Sequence, residues 1–531
     1  MIYGLKLLLP VLALWVLALF VLRSLFRGIL DGKDFKTTFN VVLLFTVVAF
    51  LSIKSGLFLV CAAAAVLIAQ AWFGGDVKAK VATFWMAAIL FPPLSSNLGG
   101  VGGIGYVFTI DHFGIASLML LLPAAFSVIS SKERSGKPPY FLDVLVCAYP
   151  VFRIILQVPS VAMTSTVRSG LEVVLDLILP YYVMTRGLRD LNALRFVLRR
   201  VLVACMFAAA IAFLEAAARK NIYSDLQWVY GVSWSLTHTL MRNGMNRVQA
   251  MTSQPIVFAT QILFTLGLWV AMAQRARRFA SIVGTLLLLG ALVLTWSRGP
   301  WIGALVFGAC MLVLPRTKPW VFGGILVVLV MAGAIAKSAG MDESVMAALK
   351  DVFGSSQDDA GSIQYRSQLL DSAIALIHQS PWTGVPNYAA QMQDLKQGEG
   401  IIDVVNTYVS VALSTGMVGL VLFLAPFLLV LFRMLKDLSI NQAEEHAERR
   451  RLLQAFTALM VACLVTIFTT SIFERLPFLL LFLIVVPTIR MSIAPSTVEI
   501  DIDVDPTRQR RTPGNRFGLN TDEHANALPQ S

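Results

Sequence analysis

The chain has 531 residues, of which 57% are hydrophobic and 14% charged, and its mean hydropathy is +0.73. A soluble domain carries about 25% charged residues, so this composition excludes an ordinary water-soluble enzyme and points to lipid as the solvent. The formal net charge of +12 would suggest nucleic acid in a soluble protein. Here the cations fall in short segments between apolar runs, where membrane topology accounts for them, and no nucleic-acid partner is expected.

The first apolar run, Leu7–Leu22, is followed by Arg23 and Arg27 without a small-residue cleavage site, and reads as a retained anchor. Spans of about 20 apolar residues are then predicted almost end to end: 5–22, 38–53, 56–73, 81–95, 115–130, 140–158, 170–185, 201–218, 254–273, 280–296, 300–314, 320–336, 404–432, 453–470 and 476–489. Short runs near 38–73 and 280–314 could merge or re-enter, so about twelve to fifteen crossings are expected. Pro92, Pro93, Pro150 and Pro180 suggest kinks, which a bundle tolerates when neighbours satisfy the freed carbonyls; Pro159 reads as a helix end. The expected fold is therefore an all-α polytopic transmembrane bundle over 1–489, followed by a polar tail at 490–531 that reads as disordered.

Counting Lys and Arg in alternate loops gives about 24 on one side and about 12 on the other, although the second side holds both long loops. The dense side should be cytoplasmic, which puts the tail inside and the N-terminus outside. The sparse, periplasm-facing side then carries a glycine-rich loop at 97–114, a loop at 219–253, the turn Ser297-Arg298-Gly299 and a large loop at 337–403. Long loops in compact domains are usually functional. Within the last one, 343–352 and 363–379 have helical periodicity, and Leu369, Leu370, Ile374 and Ile377 fall on one predicted apolar stripe, so a small helical cap is expected. The run Gly99–Gly105 follows a membrane span and lacks a βαβ setting, so it reads as a flexible turn and not as a phosphate loop. The five cysteines sit in apolar runs with no CxxC or Cys/His spacing, so neither a disulfide framework nor a metal site is indicated.

Charges at the membrane edge are costly and by default point to function. Arg298, in Thr295-Trp-Ser-Arg298-Gly-Pro300-Trp-Ile-Gly303, sits between two apolar runs with almost no loop. Its planar fork of donors suits phosphate; snorkelling beside a tryptophan belt is the competing reading. Arg242 and Arg247 lead into Gln254-Pro255, on the side where cations are scarce, and solvated loop arginines are the alternative there. Arg366 begins an amphipathic stretch, His378 could titrate usefully, and Arg153 lies within a span where Asp143 could pair with it.

Taken in order, Arg247…Gln254-Pro255, Ser297-Arg298-Gly299, Arg366, His378-Gln-Ser-Pro381-Trp-Thr-Gly384-Val and Asn406-Thr-Tyr408…Gly416-Met-Val-Gly419 resemble the O-antigen ligase/polymerase family of bacterial envelope glycosyltransferases, over roughly residues 240–435. The resemblance implies a metal-independent, GT-C-like helical fold in the bacterial inner membrane, with no cofactor. It also implies a donor glycan on undecaprenyl diphosphate and a glycan acceptor, bound at the periplasmic face among membrane lipids, with other polysaccharide assembly proteins as further partners. By matching position, Arg298 and Arg366 would contact the donor diphosphate, with Arg247, Arg242 and Gln254 as further substrate contacts. Ligases of the family often carry a histidine where this chain has Val405, just before Asn406. That departure leans the reading from ligase toward polymerase and leaves Asp403 as the candidate general base, His378 and Glu399 as alternatives, and Asn406 and Tyr408 as remaining motif residues. Rival readings are a ligase, a lipid-carrier transporter and a non-catalytic scaffold. Few intramembrane charges and no symmetric halves are evident, which counts against the transporter.

Overall fold

In the computed structural model the apolar runs form helices wherever the chain is described, which is at residues 13, 16–18, 20–52, 57–99, 106–130, 140–188, 191–223, 238–242, 244–273, 276–315, 357–393, 404, 406–440 and 447–470. Helix α1 is Gly32–Ser52, α2 Phe58–Phe73 and α3 Val77–Leu90. Strands β1 (Ser95–Gly99) and β2 (Tyr106–Asp111) pair antiparallel and lead into α4, His112–Ser130. Helix α5 is Tyr140–Gln157; α6 runs on through Met163–Val173, Val174–Ile178 and Leu179–Gly187; α7 is Leu191–Ala218. A second small hairpin, β3 (Met241–Arg242) with β4 (Met245–Asn246), precedes α8, Pro255–Met272. Then come α9 (Arg278–Leu294), α10 (Arg298–Val313), α11 (Gln357–Gln379), α12 (Thr407–Ile440) and α13 (Ala447–Ile467).

Among the described residues six helices are long and apolar enough to cross a membrane, and α2, α9 and α10 are shorter apolar helices. At 1.5 Å per residue the 28 residues of α7 reach about 42 Å, more than a hydrocarbon core. The outer surface confirms the solvent. On α9, Phe279, Ile282, Leu286, Leu289 and Val293 are all exposed and recur every three or four residues, one helical stripe. A continuous apolar stripe of that kind belongs against lipid, because water would penalise it. The chain is a multi-pass membrane protein with a helical bundle fold. It parts into Met1–Ile493 and Ala494–Ser531. The second part lies outside the described residues, as do predicted spans 320–336 and 476–489 and the cap segment 343–352.

Helix α8 is the inner post of the bundle, with all but three of its residues buried. Small residues let its neighbours approach: a Cβ on Gly267 would lie 2.8 Å from Leu459 Cδ2, and one on Gly284 of α9 would run into the Trp269 ring. Gly299 and Gly303 of α10 leave room in the same way for the Thr469 and Thr466 side chains. This small-xxx-small spacing brings helix backbones together where no water-driven force operates.

Four local expectations are corrected. Ser95–Gly99 and Tyr106–Asp111 are paired strands, Ser95 opposite Asp111 and Asn97 opposite Thr109, where 97–114 was expected to be a loop; most of the glycine run read as a flexible turn, 100–105, lies outside the described residues. Pro92 and Pro93 end α3 and do not kink it, whereas Pro150 does lie inside α5. Asp143 does not serve Arg153: its carboxylate takes Arg186 at 2.6 Å and the Tyr181 hydroxyl at 2.8 Å, both presented by α6. On α11 the buried stripe is Leu369, Ala373 and Leu376, while Ile374 faces outward; small Ala373 allows the closer contact. The five cysteines are all free.

Candidate functional site

The site is built at one end of the bundle, from the end of α7 round to the start of α12. Helix α7 terminates as Arg219 turns left-handed at φ 51°, with Lys220 N donating to the Glu215 carbonyl. Glu215 is fully buried. Its carboxylate accepts backbone N–H groups from Ile222 (3.0 Å), Gln249 (2.9 Å) and Ala250 (2.8 Å). The first of these lies at the entrance of the 219–253 loop and the other two at its exit. Asn246 Nδ2 reaches the Glu215 carbonyl at 3.4 Å, and the Tyr223 hydroxyl donates to Met251 Sδ. Both feet of the loop are thereby fixed; residues 224–237 lie outside the described residues.

The β3–β4 hairpin turns through Gly244 at φ 72° and delivers two arginines to one target. Arg242 Nη1 donates to the Trp296 carbonyl at 3.3 Å. Arg247 donates from Nε to the Thr295 carbonyl at 3.2 Å and from Nη2 to Ser297 Oγ at 3.1 Å. The turn they grip holds Trp296 left-handed at φ 50° and opens directly into α10. Arg298 is the first residue of that helix and is exposed, at the positive end of the helix dipole, which favours an anion. Among the described residues the non-glycine positions with positive φ are Arg219, Ala250 and Trp296, all three in this assembly. Each such position costs about 1–3 kcal/mol and survives where its surroundings dictate it, often at functional sites. Gln254 is the residue before α8; its carbonyl accepts from Thr252 Oγ1 at 2.9 Å and from Phe258 N at 3.2 Å.

The start of α12 comes to the same place. Gly299 packs on the Thr469 side chain, and the next carbonyl, that of Thr470, accepts from Thr407 N at 3.1 Å and Thr407 Oγ1 at 2.5 Å. Arg298 and Asn406 therefore flank one Thr469–Thr470 pair. Asn406 Oδ1 accepts from the amides of Tyr408 (3.0 Å) and Val409 (3.3 Å), a helix cap. The Tyr408 hydroxyl donates to the Leu464 carbonyl at 2.6 Å, tying α12 to α13. Asp403, Val405 and Glu399 lie outside the described residues.

Helix α11 carries Arg366, whose side chain is not among those described, and holds His378, which is exposed, in its last turn. The strap after it enters a break in α12. Gly416 adopts φ 68°, ψ −170° inside that helix, a conformation essentially confined to glycine. Around the break Val385 N donates to the Leu413 carbonyl at 2.7 Å, and Met417 N to the Pro381 carbonyl at 2.8 Å. Gly384 and Gly416 face each other so closely that a Cβ on Gly384 would lie 2.5 Å from Gly416 N. The His378–Val385 and Gly416–Gly419 motifs are thus halves of one backbone splice.

The structure gathers Arg242, Arg247, Arg298, Asn406 and Tyr408 at one end of the bundle. Glu215 escaped the sequence reasoning, although a single acid in the apolar context Ala212-Phe-Leu-Glu215-Ala-Ala was the available signal. No curated protein matches the chain. Residues 283–424 match the family model described as O-antigen ligase; this segment holds Arg298, the splice and the start of α12. Over that segment the chain is similar to the O-antigen ligase family, within a multi-pass membrane protein.

Proposed function

We propose that the protein polymerises lipid-linked oligosaccharide repeat units for a bacterial surface polysaccharide, using an undecaprenyl-diphosphate-linked donor at the periplasmic face of the inner membrane. The observation that carries this is the convergence of Arg242 and Arg247 on the turn that presents Arg298, beside the start of α12. Transfer displaces a diphosphate from an anomeric carbon, and negative charge grows on the leaving oxygens. Arginines fixed before the reaction, in a water-poor setting, stabilise that charge better than water does. In this reading Arg298 and Arg366 grip the diphosphate, Arg247 and Arg242 hold the turn and add field, and Gln254 lies at the edge of the donor path. No metal is assigned a role.

The acceptor hydroxyl needs a proton acceptor within hydrogen-bond reach. Asp403 is assigned that role, with His378 and Glu399 as the alternatives. Asn406 and Tyr408 act by shaping the start of α12 just after Asp403. The ligase reading draws support from the description of the matching family model; Val405 in place of an imidazole favours the polymerase. The scarcity of cations in the loops that hold the site supports an outward-facing site and a cytoplasmic tail.

Arg298→Ala and Arg366→Ala are each expected to abolish glycan chain extension while membrane expression is kept; near-wild-type polymer from either one removes that arginine from the site. Mass spectrometry of lipid-linked glycans in a deletion strain separates the two reactions. Single repeat units on the carrier support the polymerase, and long carrier-bound chains overturn it in favour of the ligase.

A further inference from the structure

We infer that Glu215 is a positioning residue for the donor site, transmitting its order through the hairpin arm to the turn that carries Arg298. The inference rests on the diphosphate reading of that turn. The chain of contacts is short. The Glu215 carboxylate, fully buried, accepts from Gln249 N and Ala250 N. Ala250 is held left-handed at φ 46°, a state that an alanine does not choose for itself. Asn246, on the other side of Arg247, reaches the Glu215 carbonyl. Residues on both sides of Arg247 are therefore fixed from one glutamate. Val248 N in turn donates to the Leu294 carbonyl at 3.2 Å, and Arg247 closes on Thr295 and Ser297. From Glu215 to the first turn of α10 the links are hydrogen bonds joined by the short backbone run from Asn246 to Ala250.

A carboxylate suits this task because it is acceptor-only and can serve several N–H donors at once. An alanine would leave three buried amides unmade, which costs more than the bonds are worth when formed. Glutamine keeps one acceptor oxygen but turns two hydrogens toward amides that have only hydrogens to offer. The arm would loosen at Ala250, and Arg247 would no longer hold the turn in one geometry.

The test uses the full-length protein in lipid nanodiscs and glycan-free undecaprenyl diphosphate as the probe. Glu215→Ala should weaken probe binding and raise the donor KM by about tenfold, with kcat at saturating donor changed by less than about threefold, and Glu215→Gln should fall between it and wild type. Amide exchange over residues 246–251 should speed up in both variants. A folded Glu215→Ala protein with unchanged probe affinity and donor KM overturns the inference, as does a fall in kcat alone, which is what a smaller active fraction gives. Should neither variant fold, the wild type still decides: the probe must slow exchange at Ile222, Gln249 and Ala250, and no slowing overturns the inference. Arg247→Ala and Arg298→Ala run alongside. If they too bind the probe normally, the diphosphate site itself has failed; if they alone lose binding, only the role of Glu215 has.

Discussion

Two regions of this protein hold motif residues in opposite ways. At the Thr295–Arg298 turn the work is done by long side chains: Arg242 and Arg247 reach across from another loop and donate to backbone and hydroxyl oxygens. At the break in α12 the work is done by the absence of side chains, because Gly384 and Gly416 let two backbones pair directly. The first region presents charge and tolerates exposure. The second has no charged group and tolerates no added atom. A motif spanning both thus mixes residues kept for chemistry with residues kept for shape, and a run of letters alone does not say which is which.

The contrast can be broken by substitution. The largest effect is expected from Gly416→Ala, which combines a conformation disfavoured by about 1–3 kcal/mol with a Cβ driven against the Trp382 carbonyl at a further 1–3 kcal/mol or so. Thermal unfolding in detergent should shift down by several degrees, and an unchanged midpoint would show that the splice is dispensable. Arg247→Ala should do the reverse. Loss of its hydrogen bonds to Thr295 and Ser297 should reduce transfer at least tenfold, while the unfolding midpoint falls less than in Gly416→Ala because water can reach the part-buried turn and replace these bonds. Arg247→Lys should recover only part of it, since one ammonium does not reach both oxygens in that geometry. Arg242→Ala should be mildest, because its bond to the Trp296 carbonyl is long at 3.3 Å: about 1 kcal/mol, or roughly fivefold in rate. If Arg242→Ala proves as damaging as Arg247→Ala, then Arg242 touches the substrate itself.

The helices were legible because lipid imposes a length and a composition: 254–273 is found almost residue for residue as α8, and 38–53 and 453–470 as α1 and α13, which each begin one to two turns earlier. The bundle end that gathers Arg247 and Arg298 was also legible, since cations are scarce in that set of loops. Glu215 was harder. Its function in the fold depends on donors 7, 34 and 35 residues away, and nothing in the local spacing announces a carboxylate filled by amides. The stripe on α11 was misread at Ile374 because Ala373 counts as weakly apolar in a pattern, whereas in packing its small size is what permits contact. The pairing of Ser95–Gly99 with Tyr106–Asp111 was missed because the neighbouring glycines weaken the strand signal, while pairing depends on the partner strand.

The splice at Gly416 also restricts how the molecule can open. A broken helix leaves backbone donors and acceptors without their usual partners, and away from water each one left bare costs several kcal/mol. The strap from Pro381 to Val385 supplies those partners. Peeling it off would uncover all of them together, so the C-terminal end of α11 stays anchored to α12. Any swing of that helix that admits a bulky glycan must pivot about Pro381, with the travel at the Gln357 end, and a crosslink there should jam entry where one near Trp382 would not.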